Sequence, residues 1–140
     1  MAWWQRFRQA PSPAEDEVEK LYRRAFDLVE KRQFAAARPI LEQCLLHDLD
    51  SSYAAPVRQE LARVLQELGD TQGAVRLRME VKRLAPDRHA NLWKLAQLLA
   101  ELGRDDEALP EALQAARLEP TNPRYRELVA ELRRRPTGSA

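Results

Sequence analysis

The chain contains very little cysteine and glycine, and both shortages limit what it can do. Of its 140 residues only Cys44 is a cysteine, so no disulfide can form within the chain and a reducing compartment is expected. The other soft metal ligands are two histidines, His47 and His89, so neither a metal site nor a cofactor is expected. The four glycines are scattered singly, and none forms a phosphate-cradling loop.

Long apolar runs and a dominant charge are also missing. No stretch approaches the roughly 18 to 20 apolar residues that are needed to span a bilayer. Residues 1–10 lack the apolar centre of a secretory signal. The formal net charge is +1, which gives no strong field for nucleic acid. These features predict a cytoplasmic protein that does not bind nucleic acid.

The residues that are abundant favour helices. Apolar residues make up 44 % of the chain and charged residues 32 %, which suits helices with one buried and one solvated face. Leu and Ala, which are good helix formers, dominate the apolar share, whereas the strand-favouring Val, Ile and Thr are sparse. The length fits one domain. The sequence therefore predicts a small all-α domain.

The sequence repeats itself with a period of 34 residues. Eight positions of one unit match the next at this offset: Leu61 with Leu95, Ala62 with Ala96, Leu65 with Leu99, Leu68 with Leu102, Gly69 with Gly103, Ala74 with Ala108, Leu84 with Leu118, and Pro86 with Pro120. Toward the N terminus the match continues at an offset of 37, because three extra residues lie near 50–54. The chain therefore holds units at about 18–51, 55–88 and 89–122, and half of a fourth.

Each unit is predicted to be a pair of helices, because apolar residues recur at helical spacing and glycine or proline follows them. Gly69 is expected to end one first helix in a left-handed conformation, and Asp70 or Thr71 to cap the next helix. Asp87 and Asn122 are also expected to be N-caps. The predicted helices are 13–31, 34–48, 53–68, 71–84, 88–102, 105–118 and 123–134.

Over residues 18–134 this repeat resembles the tetratricopeptide repeat (TPR) family. That family has an apolar–small pair in its first helix, a turn glycine, small residues in its second helix and a terminal proline. Here they are Leu61-Ala62, Gly69, Ala74, Val81 and Pro86, and then Leu95-Ala96, Gly103, Ala108, Ala115 and Pro120. Two departures are Arg32 at a turn-glycine position and Arg78 at a position that is usually bulky and apolar.

The resemblance implies an α-solenoid, a right-handed superhelix of three TPR helical hairpins followed by a capping helix. The TPR domain is predicted at 13–134, with its capping helix at 123–134, an N-terminal arm at 1–12 and a disordered tail at 135–140. Alanines in register on successive first helices are expected to let the helices approach closely; they are Ala25, Ala62, Ala96 and Ala130. Cys44 is expected to be buried.

The resemblance also implies that the first helices form a concave groove for a partner. The residues expected to line it are Tyr22, Arg23, Phe26, Val29, Gln59, Arg63, Gln66, Trp93, Lys94 and Gln97. Aromatic side chains beside arginine and glutamine are typical of recognition surfaces. In the alternative interpretation, Tyr22, Phe26 and Trp93 pack within the chain itself.

The same resemblance indicates that one class of partner does not bind here. TPR domains that bind the C-terminal carboxylates of heat-shock chaperones use Lys, Asn and Arg side chains at set first-helix positions. The matching residues here are Tyr22, Phe26, Glu60, Ala90 and Lys94. Only Lys94 could serve, so that carboxylate clamp is predicted to be absent.

The N-terminal arm is aromatic and basic. It carries Trp3, Trp4 and Phe7, one third of the aromatic residues, flanked by Arg6 and Arg8. The arm could dock on its own domain, bind a partner or a second copy of the chain, lie at a membrane interface, or be a disordered start. So short a stretch would bind a membrane only weakly and reversibly.

No pattern of catalytic residues stands out. The serines lie in predicted caps, loops or the tail without the context of a nucleophile, and the carboxylates alternate with arginines on exposed faces. We therefore predict a non-enzymatic, bacterial-type adaptor that binds a protein or peptide in the groove. The alternative is a self-associating structural protein that forms a homodimer through the aromatic arm.

Overall fold

The computed structural model describes residues 13–136, which form seven α-helices joined by short turns. They are α1 (Pro13–Glu30), α2 (Phe34–Cys44), α3 (Ala54–Glu67), α4 (Thr71–Leu84), α5 (His89–Glu101), α6 (Asp105–Leu118) and α7 (Pro123–Arg134). The all-α prediction is confirmed, and the helix ends agree to within one residue except at the end of α2. That helix ends early because Leu46 and His47 donate to carbonyl groups only three residues back, at Gln43 and Cys44.

The helices stack in chain order. α1 packs on α2, α3 on α4 and α5 on α6, and each second helix then packs on the next first helix. First helices also touch one another, since α1 contacts α3 and α5 contacts α7. One apolar core runs from Ala25 in α1 to Leu132 in α7. This arrangement places the same faces of α1, α3 and α5 side by side.

The turn between the two helices of each hairpin has the same geometry in all three units. Gly69 and Gly103 have φ of 89° and 74°, so the predicted left-handed cap is confirmed at Gly69. The amide of Asp70 then donates to the carbonyl of Leu65 at 2.8 Å, as in a Schellman motif. In the first unit Arg32 occupies the equivalent position with φ of 59°. A side chain with a Cβ is strained there.

We expect glycine at position 32 to be more stable than alanine at the same position by about 1 kcal/mol, because only the Cβ makes the left-handed conformation unfavourable. Both Arg32→Gly and Arg32→Ala remove the exposed contacts of Arg32 with Glu67 and Phe34. The loss of these contacts therefore cancels when the two variants are compared. Urea unfolding measures the difference. Gly69→Ala is the matched test in the second unit, where an added Cβ meets nothing within 4 Å and only the backbone conformation is penalised. Equal stability of the two variants at position 32 would contradict the strain.

Helix capping was predicted correctly at two of three sites. The carboxylate of Asp70 accepts from the amide of Gly73 at 2.9 Å, and the side chain of Asn122 accepts from the amide of Arg124 at 3.0 Å. The prediction for Asp87 is wrong. Helix α5 begins at His89, so Arg88 stands at the N-cap position and makes no side-chain capping bond.

The alanines in register are buried wherever another helix follows. Ala25, Ala62 and Ala96 are all fully buried. Ala130 is exposed, because α7 is the last helix of the described stack. The expectation of close packing is therefore confirmed on α1, α3 and α5 and is wrong for α7.

Candidate functional site

An aromatic cluster lies at the α1 end of the first-helix face. Phe26 is 44 % exposed, and its ring centroid lies 6.4 Å from that of Tyr22. Tyr53, just before α3, meets Tyr22 edge-on at 5.7 Å and was not among the predicted residues. Burial, and after it the negative charge of Glu60 on α3, raise the pKa of Tyr22.

Val29 does not belong to the surface. It is fully buried, because it shares a helical stripe with Val18 and Ala25 that faces the core. Its predicted role in partner contact is therefore wrong. Leu21 and Leu28 are only partly buried, so the core-facing stripe of α1 runs through Val18, Ala25 and Val29.

Trp93 packs within the domain. Its ring lies 5.7 Å from the ring of Tyr125 on α7, and the indole contacts both parts of the apolar core. The indole Nε1 is buried and has no hydrogen-bond partner. The hydroxyl of Tyr125 lies 2.7 Å from Nδ1 of His89, which ties α7 to the start of α5. Trp93 thus joins α5 to α7, as the packing interpretation expects, while Phe26 remains on the surface.

A polar cleft of about 230 Å³ opens between α3 and α5, with α4 contributing one residue. Its lining residues are Gln59, Glu60 and Arg63 from α3, Arg78 from α4, and Ala90, Asn91 and Lys94 from α5. The cleft brings together Gln59, Arg63 and Lys94 of the predicted groove. Arg23, Gln66 and Gln97 lie outside it, and Arg23 forms an exposed ion pair with Glu19 at 2.7 Å.

Contacts between α1 and α3 join the cleft to the aromatic cluster. The guanidinium of Arg63 lies 3.9 Å from the carboxylate of Glu30, at the C-terminal end of α1. Glu30 is four residues after Phe26, so the two share one face of that helix. At the other side of the cleft, Gln59 accepts a hydrogen bond from Arg88 at 2.8 Å. The surface is therefore continuous from α1 to α5.

Arg78 is a buried cation, with only 4 % of its surface exposed. Its Nη1 donates to Oδ1 of Asn91 at 3.2 Å, and Nδ2 of Asn91 donates back to the carbonyl of Arg78 at 3.0 Å. The Nε of Arg78 is buried without a partner. Burial lowers the pKa of Arg78 to about 10, against the opposing effect of Glu60, so the side chain is still charged at neutral pH.

Glu60 faces these cations from α3. One of its carboxylate oxygens, Oε2, is buried without a hydrogen-bond partner. Burial raises the pKa of Glu60, and Arg63 and Arg78 oppose that rise only in part. The pKa of Lys94 is lowered, first by burial and then by Arg78 and Arg63. Three cations and one carboxylate thus share the cleft.

We expect Glu60→Gln to stabilise the fold at neutral pH. The pKa of Glu60 is raised by folding, so ionisation destabilises the folded state above that pKa, and the penalty disappears below the unfolded pKa. The advantage of the variant over the wild type should therefore shrink as the pH falls toward the ordinary glutamate pKa. Urea unfolding across this pH range measures it, with Glu101→Gln as a surface control. An advantage that does not change with pH would contradict the assignment.

Four residues of the cleft were not predicted as site residues: Glu60, Arg78, Ala90 and Asn91. The sequence did mark Arg78 as unusual, because Arg78 occupies a position that is usually bulky and apolar in the TPR. A charged residue in a core position of a helix requires a polar partner or a functional reason. Nothing in the spacing of Asn91 identified it as that partner.

The remaining predicted sites give simpler results. Cys44 is a free thiol and fully buried, and burial raises its pKa, so its predicted burial is confirmed. Trp3, Trp4 and Phe7 lie outside the described residues.

Within residues 13–136, no group of three or more His, Cys, Asp and Glu side chains is placed to hold a metal ion. None of the described helices has the length and apolar character to cross a membrane.

The stack of helical hairpins with glycine-type turns and a first-helix face defines an α-solenoid of the TPR type. Solved structures agree, and they confirm the resemblance to the TPR at the level of the fold. No family model matches the chain, and no curated protein matches it.

Three of these structures illustrate the likeness. The type III secretion chaperone SycD of Yersinia enterocolitica, in complex with a peptide of the translocator YopD, has a TM-score of 0.68 and 19 % identity, over 84 % of this chain and 88 % of that one. The second TPR domain of human RPAP3, in complex with an HSP70 peptide, has a TM-score of 0.76 and 12 % identity, over 87 % and 99 %. The C-terminal TPR-containing domain of a Plasmodium falciparum FK506-binding protein has a TM-score of 0.76 and 15 % identity, over 90 % and 92 %.

Proposed function

We propose that this chain is an adaptor or scaffold that binds a peptide or partner protein along the first-helix groove. We define the groove by the predicted residues without the buried Val29 and without Trp93, which packs between α5 and α7. The remaining residues are Tyr22, Arg23, Phe26, Gln59, Arg63, Gln66, Lys94 and Gln97. The observation that carries the proposal is the continuity of one surface, in which an exposed aromatic residue on α1 leads to a polar cleft between α3 and α5.

Phe26 is the natural anchor for a partner. An aromatic ring that is 44 % exposed beside a half-buried tyrosine offers apolar area that a partner can cover at little entropic cost. Such rings are common among the few residues that dominate binding energy. Polar residues around the ring would then fix the orientation of the partner.

The comparisons support the binding of a peptide. SycD and the RPAP3 domain were both solved with a peptide bound. Shared fold alone does not carry function, so the proposal depends on the surface described above. The free, buried Cys44 suits a reducing compartment, and we include a bacterial-type cytoplasmic location in the proposal.

Affinity capture from a lysate of the source cells tests the proposal. The full-length wild type, Phe26→Ala and a Tyr22→Ala/Phe26→Ala variant serve as baits, with Leu46→Ala as the control. Leu46 is 85 % exposed and lies between α2 and α3, away from the groove. We expect a specific partner to be captured by the wild type and the control and to be depleted on both groove variants. A partner that all four baits hold equally would contradict binding in the groove.

A further inference from the structure

A pocket of about 100 Å³ lies at the N-terminal end of the stack, between the start of α1 and the connection from α2 to α3. Val18, Leu49 and Tyr53 supply most of its apolar surface; Val18 is buried, and the other two are partly buried. The other lining residues are Ala14, Glu15, His47, Asp48 and Asp50. Apolar surface with a few polar groups beside it is typical of a binding pocket.

The second unit has an equivalent pocket, between the start of α3 and the connection from α4 to α5. At the offset of 37 residues that relates the two units, the lining residues of the two pockets match: Ala14 with Ser51, Val18 with Ala55, His47 with Leu84, Asp48 with Ala85, Leu49 with Pro86, and Asp50 with Asp87. The pocket therefore recurs with the repeat, and the side chains that line it differ between the units.

The main difference between the two pockets is their charge. Three carboxylates line the first pocket, those of Glu15, Asp48 and Asp50, and no lysine or arginine lines it. In the second pocket Arg88 offsets the charge of Asp87. Carboxylates that are gathered without cations repel one another, and a basic segment placed beside them relieves this repulsion. The first pocket is thus suited to a segment that is both apolar and basic.

The N-terminal arm is such a segment, and it is attached beside the pocket. The arm joins α1 at Pro13, and Ala14, the next residue, already lines the pocket. The arm contains Arg6 and Arg8 and no acidic residue. Its aromatic residues are Trp3, Trp4 and Phe7. Six extended residues span up to about 20 Å, so the tether is long enough for the arm to turn back along the first turn of α1. Attachment also gives the arm a high effective concentration at the pocket.

We propose that the N-terminal arm docks on its own domain in this pocket, with an aromatic ring against Val18 and Tyr53 and with its arginines beside the carboxylates. The pocket is smaller than the roughly 150 Å³ cavity that holds a benzene molecule, so one ring enters it in part and the neighbouring rings cover it. The docked arm closes the N-terminal end of the stack, as a capping element of a solenoid does. This inference goes beyond the proposed function and does not depend on it.

NMR of the ¹⁵N-labelled full-length protein tests the docking. The wild type is compared with the variant Trp3→Ala/Trp4→Ala/Phe7→Ala, which leaves residues 13–136 unchanged. Within those residues, we expect the backbone amide shifts to differ most at Leu49 and Tyr53. Both residues line the pocket but are distant from the arm in the sequence, so a change of chain neighbours does not reach them. The differences should persist at high dilution, because the contact is made within one chain.

Three results of this comparison would overturn the proposal. Differences centred on Phe26 and Lys94 would show that the arm occupies the groove instead. Differences that vanish on dilution would show that the arm docks on a second copy of the chain. Unchanged amide shifts at Leu49 and Tyr53 would show that the arm does not reach the pocket.

Fluorescence quenching by acrylamide tests the contribution of charge. In a Trp93→Phe background the only tryptophans are the two of the arm. We expect Asp48→Asn to lower the ratio of docked to undocked arm by up to about fivefold, the effect of an exposed ion pair, and so to increase quenching. Arg6→Gln/Arg8→Gln and added salt should act in the same direction.

Asp87→Asn is the matched control for Asp48→Asn. Asp87 is exposed, as Asp48 is, but lines the equivalent pocket of the second unit. We expect quenching in this variant to equal that of the Trp93→Phe background. Equal quenching in Asp48→Asn and Asp87→Asn would overturn docking at the acidic pocket.

Discussion

Replacing Ala96 by leucine is expected to lower the free energy of unfolding by about 1–3 kcal/mol, the usual cost of overpacking a core. Ala96 is fully buried on α5, in register with the buried Ala62 of the preceding unit. Because Ala96 is enclosed by the packed helices, three further carbon atoms are expected to push neighbouring helices apart. Urea-induced unfolding followed by circular dichroism measures the loss.

Ala130→Leu is the matched control for this experiment. It makes the same substitution at the equivalent position of the fourth half-unit, where the alanine is exposed. We expect its stability to remain within about 0.5 kcal/mol of the wild type, as for most surface changes. Similar losses at both positions would show that the small residues are not required by helix packing.

Trp93→Ala is expected to lower the free energy of unfolding by about 2–4 kcal/mol, somewhat less than the loss of a fully buried aromatic residue. The indole packs between α5 and α7, and its ring is tilted by 39° against that of Tyr125 at a centroid distance of 5.7 Å. Hydrogen exchange should therefore speed up mainly in α7, the helix that Trp93 holds in place. Phe26→Ala, by contrast, should cost only about 1 kcal/mol or less, because a large part of that ring is already exposed.

Trp93→Phe separates the packing from the indole N–H. Because Nε1 has no hydrogen-bond partner, phenylalanine loses no hydrogen bond and should retain more of the stability than alanine does. If Trp93→Ala proved as stable as the wild type, Trp93 would be a surface residue and the interpretation of this end of the groove would have to change.

Local features of the sequence predicted most of the helices and turns. Helix ends are set by residues that interact only with their near neighbours in the sequence. Gly69 ends α3 with its positive φ, and the carboxylate of Asp70 caps α4. The repeat then extended these local assignments to a fold, since units of this length bury their apolar faces only by stacking. The end of α2 was missed because tight turn bonds there replace helical ones without glycine or proline in the sequence.

The site was harder to predict, because it depends on which helix faces which. Val29 and Phe26 are both apolar residues of α1, and only the orientation of the helix in the stack makes one buried and the other exposed. Arg78 and Asn91 are 13 residues apart on different helices, and their hydrogen bonds exist only after α4 packs on α5. Periodicity within one helix carries no information about such a pair.

Site-specific photo-crosslinking tests the central claim, binding in the first-helix groove, most directly. A benzophenone amino acid is introduced at position 26, on the groove, or at position 79, an exposed methionine on the second helix α4. Each protein is then irradiated with the captured partner. We predict a covalent adduct with the partner from position 26 and none from position 79. An adduct from position 79 alone would show that the partner binds the second-helix face and would contradict the account.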